Sequence, residues 1–342
     1  MFSFEHIIDL PLVWGAIIAT AVLLYVLLDG FDLGVGILFP FAPDDKARDK
    51  MMNSIAPFWD GNETWLVLGG GGLFAAFPLA YSIVMPAFYV PIILMLICLI
   101  FRGVAFEFRF KADTSRRLWD YAFHFGSLGA TFLQGMILGG IVQGIRIEGR
   151  EFAGGPFDWL TGFSMMTGLG VTAGYVLHGA TWMYMKSEGE LQDWARRCAK
   201  YVFLFVLGFM GIVSLWVPFL NEHLYGRWFG GNNMYYLAPI PALTGLLFIG
   251  LWRALAKPQA GKADWKPFLY GHGLFLMGYL GLAVSLWPTI VPYDVTLEQA
   301  AASPASLSLL LVGTAIMLPL ILGYTGWCYY IFRGKTDDKH GY

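Results

Sequence analysis

Charge is what this chain has least of: only 13% of its 342 residues are Asp, Glu, Lys or Arg, against about 25% in soluble domains. With 57% hydrophobic residues and a mean hydropathy of +0.59, that shortage excludes a soluble globular enzyme and indicates a polytopic membrane protein. Long polar stretches are missing as well, so residues 1–342 read as a single integral membrane domain, without a soluble linker or tandem repeat. Cysteine is scarce. Cys98, Cys198 and Cys328 are odd in number and lie in or beside apolar segments, which excludes a disulfide framework or a metal knuckle. A net charge of −2 and the lack of a basic tract interleaved with aromatics argue against nucleic acid as a partner. The first ten residues hold no Lys or Arg, so no cleavable signal peptide is expected and the first span is retained.

What is present is a series of apolar runs. A membrane helix needs about 20 mostly apolar residues, and nine segments qualify: about 10–40, 52–76, 79–106, 118–145, 158–185, 198–222, 235–256, 267–291 and 304–332. Asp60, Asn62 and Glu63 interrupt the second, and a short break is expected near Phe77-Pro78. Basic residues fall on alternate connections. One side collects Lys46, Arg48, Lys50, Arg102, Arg109, Lys111, Arg116, Arg117, Lys186, Arg196, Arg197, Lys200, Arg253, Lys257, Lys262, Lys266, Arg333, Lys335 and Lys339. The other side has only Arg146, Arg150 and Arg227. The positive-inside rule puts the first group in the cytoplasm, with the N-terminus outside, the C-terminus inside and an odd span count. Trp119, Trp159, Trp228, Trp265 and Trp327 fall near span ends and read as an interfacial aromatic belt. The stretches 146–157 and 223–234 read as outer surface connections.

Against this background four acids stand out. Asp29 and Asp32 lie in the first span, Asp60 and Glu63 in the second. A carboxylate in hydrocarbon costs at least about 2.5–3.5 kcal/mol. The spacing of three puts each pair on roughly one helix face. At 1.5 Å per residue, Asp32 and Asp29 stand about 14 and 18 Å from the inner end of their span, Asp60 and Glu63 about 12 and 17 Å. Four carboxylates at one level on consecutive antiparallel helices cannot all be ionised cheaply. That arrangement suits proton uptake from the cytoplasm. The structural alternative is a buried Asp that bonds a helix end or pairs with an Arg of another subunit, while Gly30, Gly34 and Gly36 serve close helix packing.

Other features are weaker. Gly69–Gly72 has no following Lys-Ser/Thr and reads as close packing or a local break, not a phosphate loop. His124, His178 and His272 lie within spans, but none pairs with another at helical spacing, so they read as packing residues and not haem ligands. Arg102, Glu107 and Arg109 read as an interfacial anchor at the inner end of the third span.

The motifs resemble a known family. Asp29-Gly30-Phe31-Asp32-Leu33-Gly34-Val35-Gly36 is similar to the first-helix signature of subunit II of cytochrome bd-type quinol oxidases. Asn53-Ser54-Ile55-Ala56-Pro57, Trp59-Asp60-Gly61-Asn62 and Phe74-Ala75-Ala76-Phe77-Pro78 resemble its second-helix signature. Fainter echoes follow in Arg102-Gly103-Val104-Ala105-Phe106, Gly179-Ala180-Thr181, Gly189-Glu190-Leu191 and Tyr324-Thr325-Gly326-Trp327-Cys328-Tyr329. The resemblance implies an all-α fold of nine membrane helices, two four-helix bundles plus one peripheral helix. It also implies a complex in the bacterial cytoplasmic (inner) membrane that oxidises quinol and reduces dioxygen to water. Two haem b and one haem d, or a third haem b, would sit on subunit I, the obligate heterodimer partner. Subunit II would usually carry no haem ligand, and a small accessory subunit, membrane lipid and a structural quinone are further associates seen in the family. The cyanide-insensitive branch is compatible with these motifs. Asp60, with Asp29, would match acids of a proton channel along the subunit interface, with Asp32 and Glu63 as further candidates. Quinol oxidation outside and proton uptake inside would generate a membrane potential without pumping. The rival reading is a stand-alone proton- or cation-coupled secondary transporter. Against it, the chain lacks two matching interrupted spans.

Overall fold

The computed structural model describes residues 9–257 and 263–336. Lys262, Lys339 and both chain ends, which enter the orientation argument, lie outside the described residues. Among the described residues, nine helices of 18 residues or more dominate. They are α1 (Leu10–Leu38), α2 (Trp59–Ala76), α3 (Pro78–Lys111), α4 (Arg116–Gln143), α5 (Gly162–Lys186), α6 (Gly189–Trp216), α7 (Pro239–Ala256), α8 (Trp265–Leu286) and α9 (Pro304–Ile331). All but α2 and α5 fall in the seven stretches that are long and apolar enough to cross a membrane by length and composition. The two exceptions have a common cause. α2 carries acids in its first turns, and α5 buries Ser164, Thr167, His178 and Thr181 among its neighbours, so it needs less apolar surface.

The structure corrects the reading of the second span. Residues 52–55 belong to a separate helix, Asp45–Ile55, and α2 starts only at Trp59. The Asp44 carboxylate caps the short helix by accepting from the Ala47 amide at 2.7 Å. Pro57, in the turn that follows, has no amide hydrogen to continue the ladder. Asp60, Asn62 and Glu63 therefore do not interrupt a helix. They form its opening turns, where Asp60 complements the positive end of the helix dipole. Phe77, with φ −132° and ψ 64°, separates α2 from α3. Phe88 bends α3 between Pro86 and Pro91.

α1 is the central element and packs against α2, α4 and α5. Its crossing with α5 is made by backbone. A Cβ at Gly34 would fall onto the Tyr175 carbonyl, and one at Gly179 onto the Gly34–Val35 peptide. Contact this close replaces the hydrophobic drive that lipid does not supply. One apolar cluster, around Phe31, Phe39, Met51, Met52 and Trp182, fills the end rich in basic residues. A second, around Trp14, Phe77, Ile83, Phe88 and Trp159, fills the other end. There the connections carry two short hairpins, Ile147–Glu148 with Glu151–Phe152 and Thr289–Val291 with Val295–Thr296. The connection expected at 223–234 folds into short helices, Glu222–Phe229 and Asn233–Leu237. Gly69 and Gly72 of α2 lie against Val22 and Ile18 of α1, while Gly70 and Gly71 face open space; the helix runs through all four without a break.

The crossing yields a first prediction. Gly34→Ala forces a methyl group into backbone and should destabilise the protein by about 1–3 kcal/mol or more. Gly208→Ala, where nothing lies within 4 Å, should change stability by less than about 1 kcal/mol. Thermal unfolding of detergent-purified protein measures both, and equal effects would refute the packing argument.

Candidate functional site

Three helices bring the site together. Asp29 and Asp32 project from α1 and are fully buried. Arg102 comes from α3, where the α3–α4 crossing is tight: a Cβ at Gly126 would meet the Cys98 carbonyl at 2.6 Å and the Arg102 amide at 2.9 Å. From α2 come Asn62 and Glu63. The Arg102 guanidinium is 0% exposed and places Nη2 at 2.7 Å from Asp29 Oδ1 and 3.8 Å from Asp32 Oδ2. Its Nη1 lies 3.7 Å from Glu63 Oε2, on a side chain 27% exposed. The Asn62 amide nitrogen donates to Asp32 Oδ2 at 2.7 Å and lies 3.3 Å from the Leu28 carbonyl oxygen. Asp32 Oδ1 has no hydrogen-bond partner among the described residues.

The four acids expected from the sequence thus divide. Asp29 and Asp32 form a closed core, and Glu63 sits at its rim. Asp60 is exposed on the surface of the chain and makes no ion pair with Arg102 among the described contacts. The interfacial-anchor reading of Arg102 and Arg109 is wrong: both are fully buried. Arg102 lies nine residues before the end of α3, about 14 Å from it at 1.5 Å per residue, the depth expected for the acids. That depth, inside an apolar run, was the available signal. Arg109 has its own set of acids. Its Nε is 2.5 Å from Asp120 Oδ1 and its Nη1 2.7 Å from Asp49 Oδ1, and its guanidinium lies over the Phe39 ring at 4.9 Å. Arg116 also pairs with Asp49. Only Glu107 fits the surface reading, exposed and paired with Lys111 at 2.9 Å.

One guanidinium faces three carboxyl groups. Charge balance in such a cluster requires exchangeable protons, because leaving several carboxylates ionised in a dry site is expensive. The cluster thus holds more carboxyl groups than its guanidinium can neutralise, and it opens toward the surface on the side of Glu63, 27% exposed.

The histidines occupy other places. His178 and His272 lie ring against ring, with centroids 4.6 Å apart and planes at 36°. His178 is also stacked on Phe275 at 4.4 Å. Two axial imidazoles aim their nitrogens at an iron held between them, and this pair presents faces to each other. His124 Nδ1 lies 3.0 Å from the Ile37 carbonyl oxygen. Among the described residues no three His, Cys, Asp or Glu side chains are grouped to hold a metal ion.

Removing the central cation is the direct test of the cluster. Arg102→Met leaves buried acids without a counter-charge and should cost about 3–5 kcal/mol, read as lost yield and a lowered melting temperature. Arg102→Lys keeps the charge and should lose less. A melting temperature unchanged in Arg102→Met would show that the pair does not hold the fold.

Comparisons with known proteins agree with the motifs. The family described as Cytochrome bd terminal oxidase subunit II matches residues 10–332. The chain is 29% identical over 367 residues to "Cytochrome bd-I ubiquinol oxidase subunit 2" of Escherichia coli (strain K12), covering 96% of each. It is 30% identical over 340 residues to "Cytochrome bd ubiquinol oxidase subunit 2" of Bacillus subtilis (strain 168), covering 95% of this chain and 96% of that one. Among solved structures, the bd oxidase from Geobacillus thermodenitrificans contains a chain of the same fold, with TM-score 0.73 and 15% identity, over 96% of this chain and 100% of that one.

Proposed function

The chain belongs to the cytochrome bd terminal oxidase subunit II family, and on that premise we propose that it is the haem-free subunit of a complex that couples quinol oxidation to reduction of dioxygen to water. It is a membrane component of an oxidoreductase, and its redox chemistry is assigned to a haem-bearing subunit I. Its own contribution is a relay of carboxyl groups that passes cytoplasmic protons toward the oxygen site. The nine long helices count as nine spans in two four-helix bundles plus one peripheral helix, in the bacterial inner membrane with the C-terminus cytoplasmic.

The observation that carries this reading is the placement of Asp60. It is exposed on α2, two residues from Asn62, which bonds the buried Asp32. An acid at that level does not face lipid at low cost, so a protein partner covers it. The exposed residues of α2 are Asp60, Gly61, Thr64, Val67, Gly71 and Phe74; apart from Gly61 they recur at the three- and four-residue spacing of one helix face. Subunit I is the occupant this reading assigns to that face. The relay then runs along the junction: Asp60 and Glu63 exchange protons at the interface, while Asp29, Asp32 and Arg102 form the charged wall behind them. The packing of His178 and His272 against each other as tilted rings supports leaving haem to the partner. Family membership argues against the stand-alone transporter.

Two expected outcomes test the reading. Asp60→Asn keeps the shape and removes the exchangeable proton, so quinol-driven oxygen consumption should fall by about tenfold or more, with haem content and complex yield near normal. Loss of assembly would assign Asp60 a structural role. Unchanged turnover would leave the relay to Asp29, Asp32 and Glu63. Secondly, the chain purified from its native membrane should bring a haem-bearing partner, and His124→Ala, His178→Ala and His272→Ala should each leave the haem spectrum intact. A colourless solitary chain, or selective loss of one haem band, contradicts it.

A further inference from the structure

α9 leans lightly on the rest of the chain. Over its 28 residues only Leu307 is buried, at the outer end, where the Trp14 indole donates to the Leu307 carbonyl at 3.0 Å. At the inner end a single polar side chain reaches inward. Tyr329 Oη donates to Asn62 Oδ1 at 2.9 Å, and the other end of that amide donates to Asp32 Oδ2 at 2.7 Å. The Tyr329 ring is stacked on Phe58 at 4.4 Å, and Cys328 Sγ lies 3.4 Å from the Pro57 carbonyl oxygen.

The segment after α9 fixes that ring in place. Lys186, at the end of α5, donates to the Phe332 carbonyl and, at 2.9 Å, to the Gly334 carbonyl. Lys335 donates to the Ser187 carbonyl at 3.0 Å and to Asp264 Oδ2 at 2.8 Å, and the Thr336 amide donates to the Lys186 carbonyl at 2.8 Å. Phe332 packs edge-on against Phe58 at 6.0 Å. The tail is therefore tied beneath the same aromatic group that holds Tyr329.

We propose that Tyr329 and Asn62 are positioning residues for Asp32: the tail-anchored tyrosine orients the Asn62 amide, which fixes the Asp32 carboxyl beside Arg102. The argument is one of directionality. An amide offers a donor at one end and an acceptor at the other. With a hydroxyl proton directed to Oδ1, the nitrogen is committed to Asp32. Without it, the acceptor end of the amide is unheld and the nitrogen is kept in place only by Asp32 itself and the longer 3.3 Å contact with the Leu28 carbonyl oxygen, so the orientation of the amide is loosened. The hydrogen bond that sets the distance of Asp32 from the guanidinium is loosened with it. The proposal rests on the relay reading for its effect on turnover, but the orientation of Asp32 is measurable without it.

The experiment uses the intact complex. Tyr329→Phe keeps the stack on Phe58 and removes only the hydroxyl. Infrared difference spectra, with Asp32→Asn to assign the carboxyl band of residue 32, should show that band shifted in Tyr329→Phe. Turnover should fall by about two- to tenfold, the range one hydrogen bond is worth, at normal haem content. In the Asp32→Asn background, Tyr329→Phe should add nothing, the signature of a residue acting through another. An unshifted band overturns the proposal, as does an additive loss or a collapse in complex yield in Tyr329→Phe. If Asp32→Asn does not assemble, Asn62→Ala replaces it and should shift the same band as Tyr329→Phe; different bands overturn the proposal. A shifted band with unchanged turnover sustains the positioning and removes the relay through Asp32, so the two failures are distinguishable.

Discussion

The structure is organised around one buried ion pair, Arg102 of α3 against Asp29 of α1, 2.7 Å apart with both side chains fully buried. In lipid neither charge is tolerable alone, so the two helices are constrained in rotation and in depth. The surrounding packing meets that demand. Gly126 lets α4 approach the α3 backbone at Arg102, and the Gly34–Gly179 crossing brings α5 against another face of α1. Buried ion pairs contribute little net stability and much specificity when their partners are fully matched. Here the match is unequal, three carboxyl groups to one guanidinium. A purely structural pair has no use for the surplus acids, whereas the proposed proton relay would need them.

The acids are also graded by access. Asp29 and Asp32 are sealed, Glu63 is 27% exposed, and Asp60 is open to the surface of the chain. A sealed acid exchanges protons only through neighbours, while an open one in a membrane needs a partner protein to keep lipid away. The proposed subunit junction would meet both conditions, with one wall supplied by this chain and the other by its partner. The division also explains why the acids are split between helices. α1 is central and holds the sealed pair, and α2 presents the half-buried Glu63 and the exposed Asp60.

Much of this was legible in the sequence. The apolar runs located the long helices, and the two motifs located the acids, because carboxylates in such runs have no ordinary explanation. Three things were not legible. Arg102 resembled the basic residues at the end of its helix, and although its depth matched that of the acids, only the three-dimensional crossing shows it paired with Asp29. The second span looked continuous from residue 52, whereas the Pro57 turn divides it; hydropathy averages over a break that the backbone cannot. The Tyr329–Asn62 hydrogen bond joins residues 267 apart, and no local pattern encodes such a pairing. His178 and His272 are similar: 94 residues separate them, and the fold alone packs their rings together.

Lipid-facing positions ask only for apolarity, so their residues exchange freely without moving the helices. What cannot exchange freely are positions where backbone touches backbone or charge meets charge. In this chain those are few: the glycine crossings, the Arg102 cluster and the Arg109 cluster with Asp49 and Asp120. Both arginines lie on α3, seven residues apart and so on one helix face at about two turns. Each ties the inner half of that helix to a different neighbour. α3 is thus held in register by electrostatics at two levels.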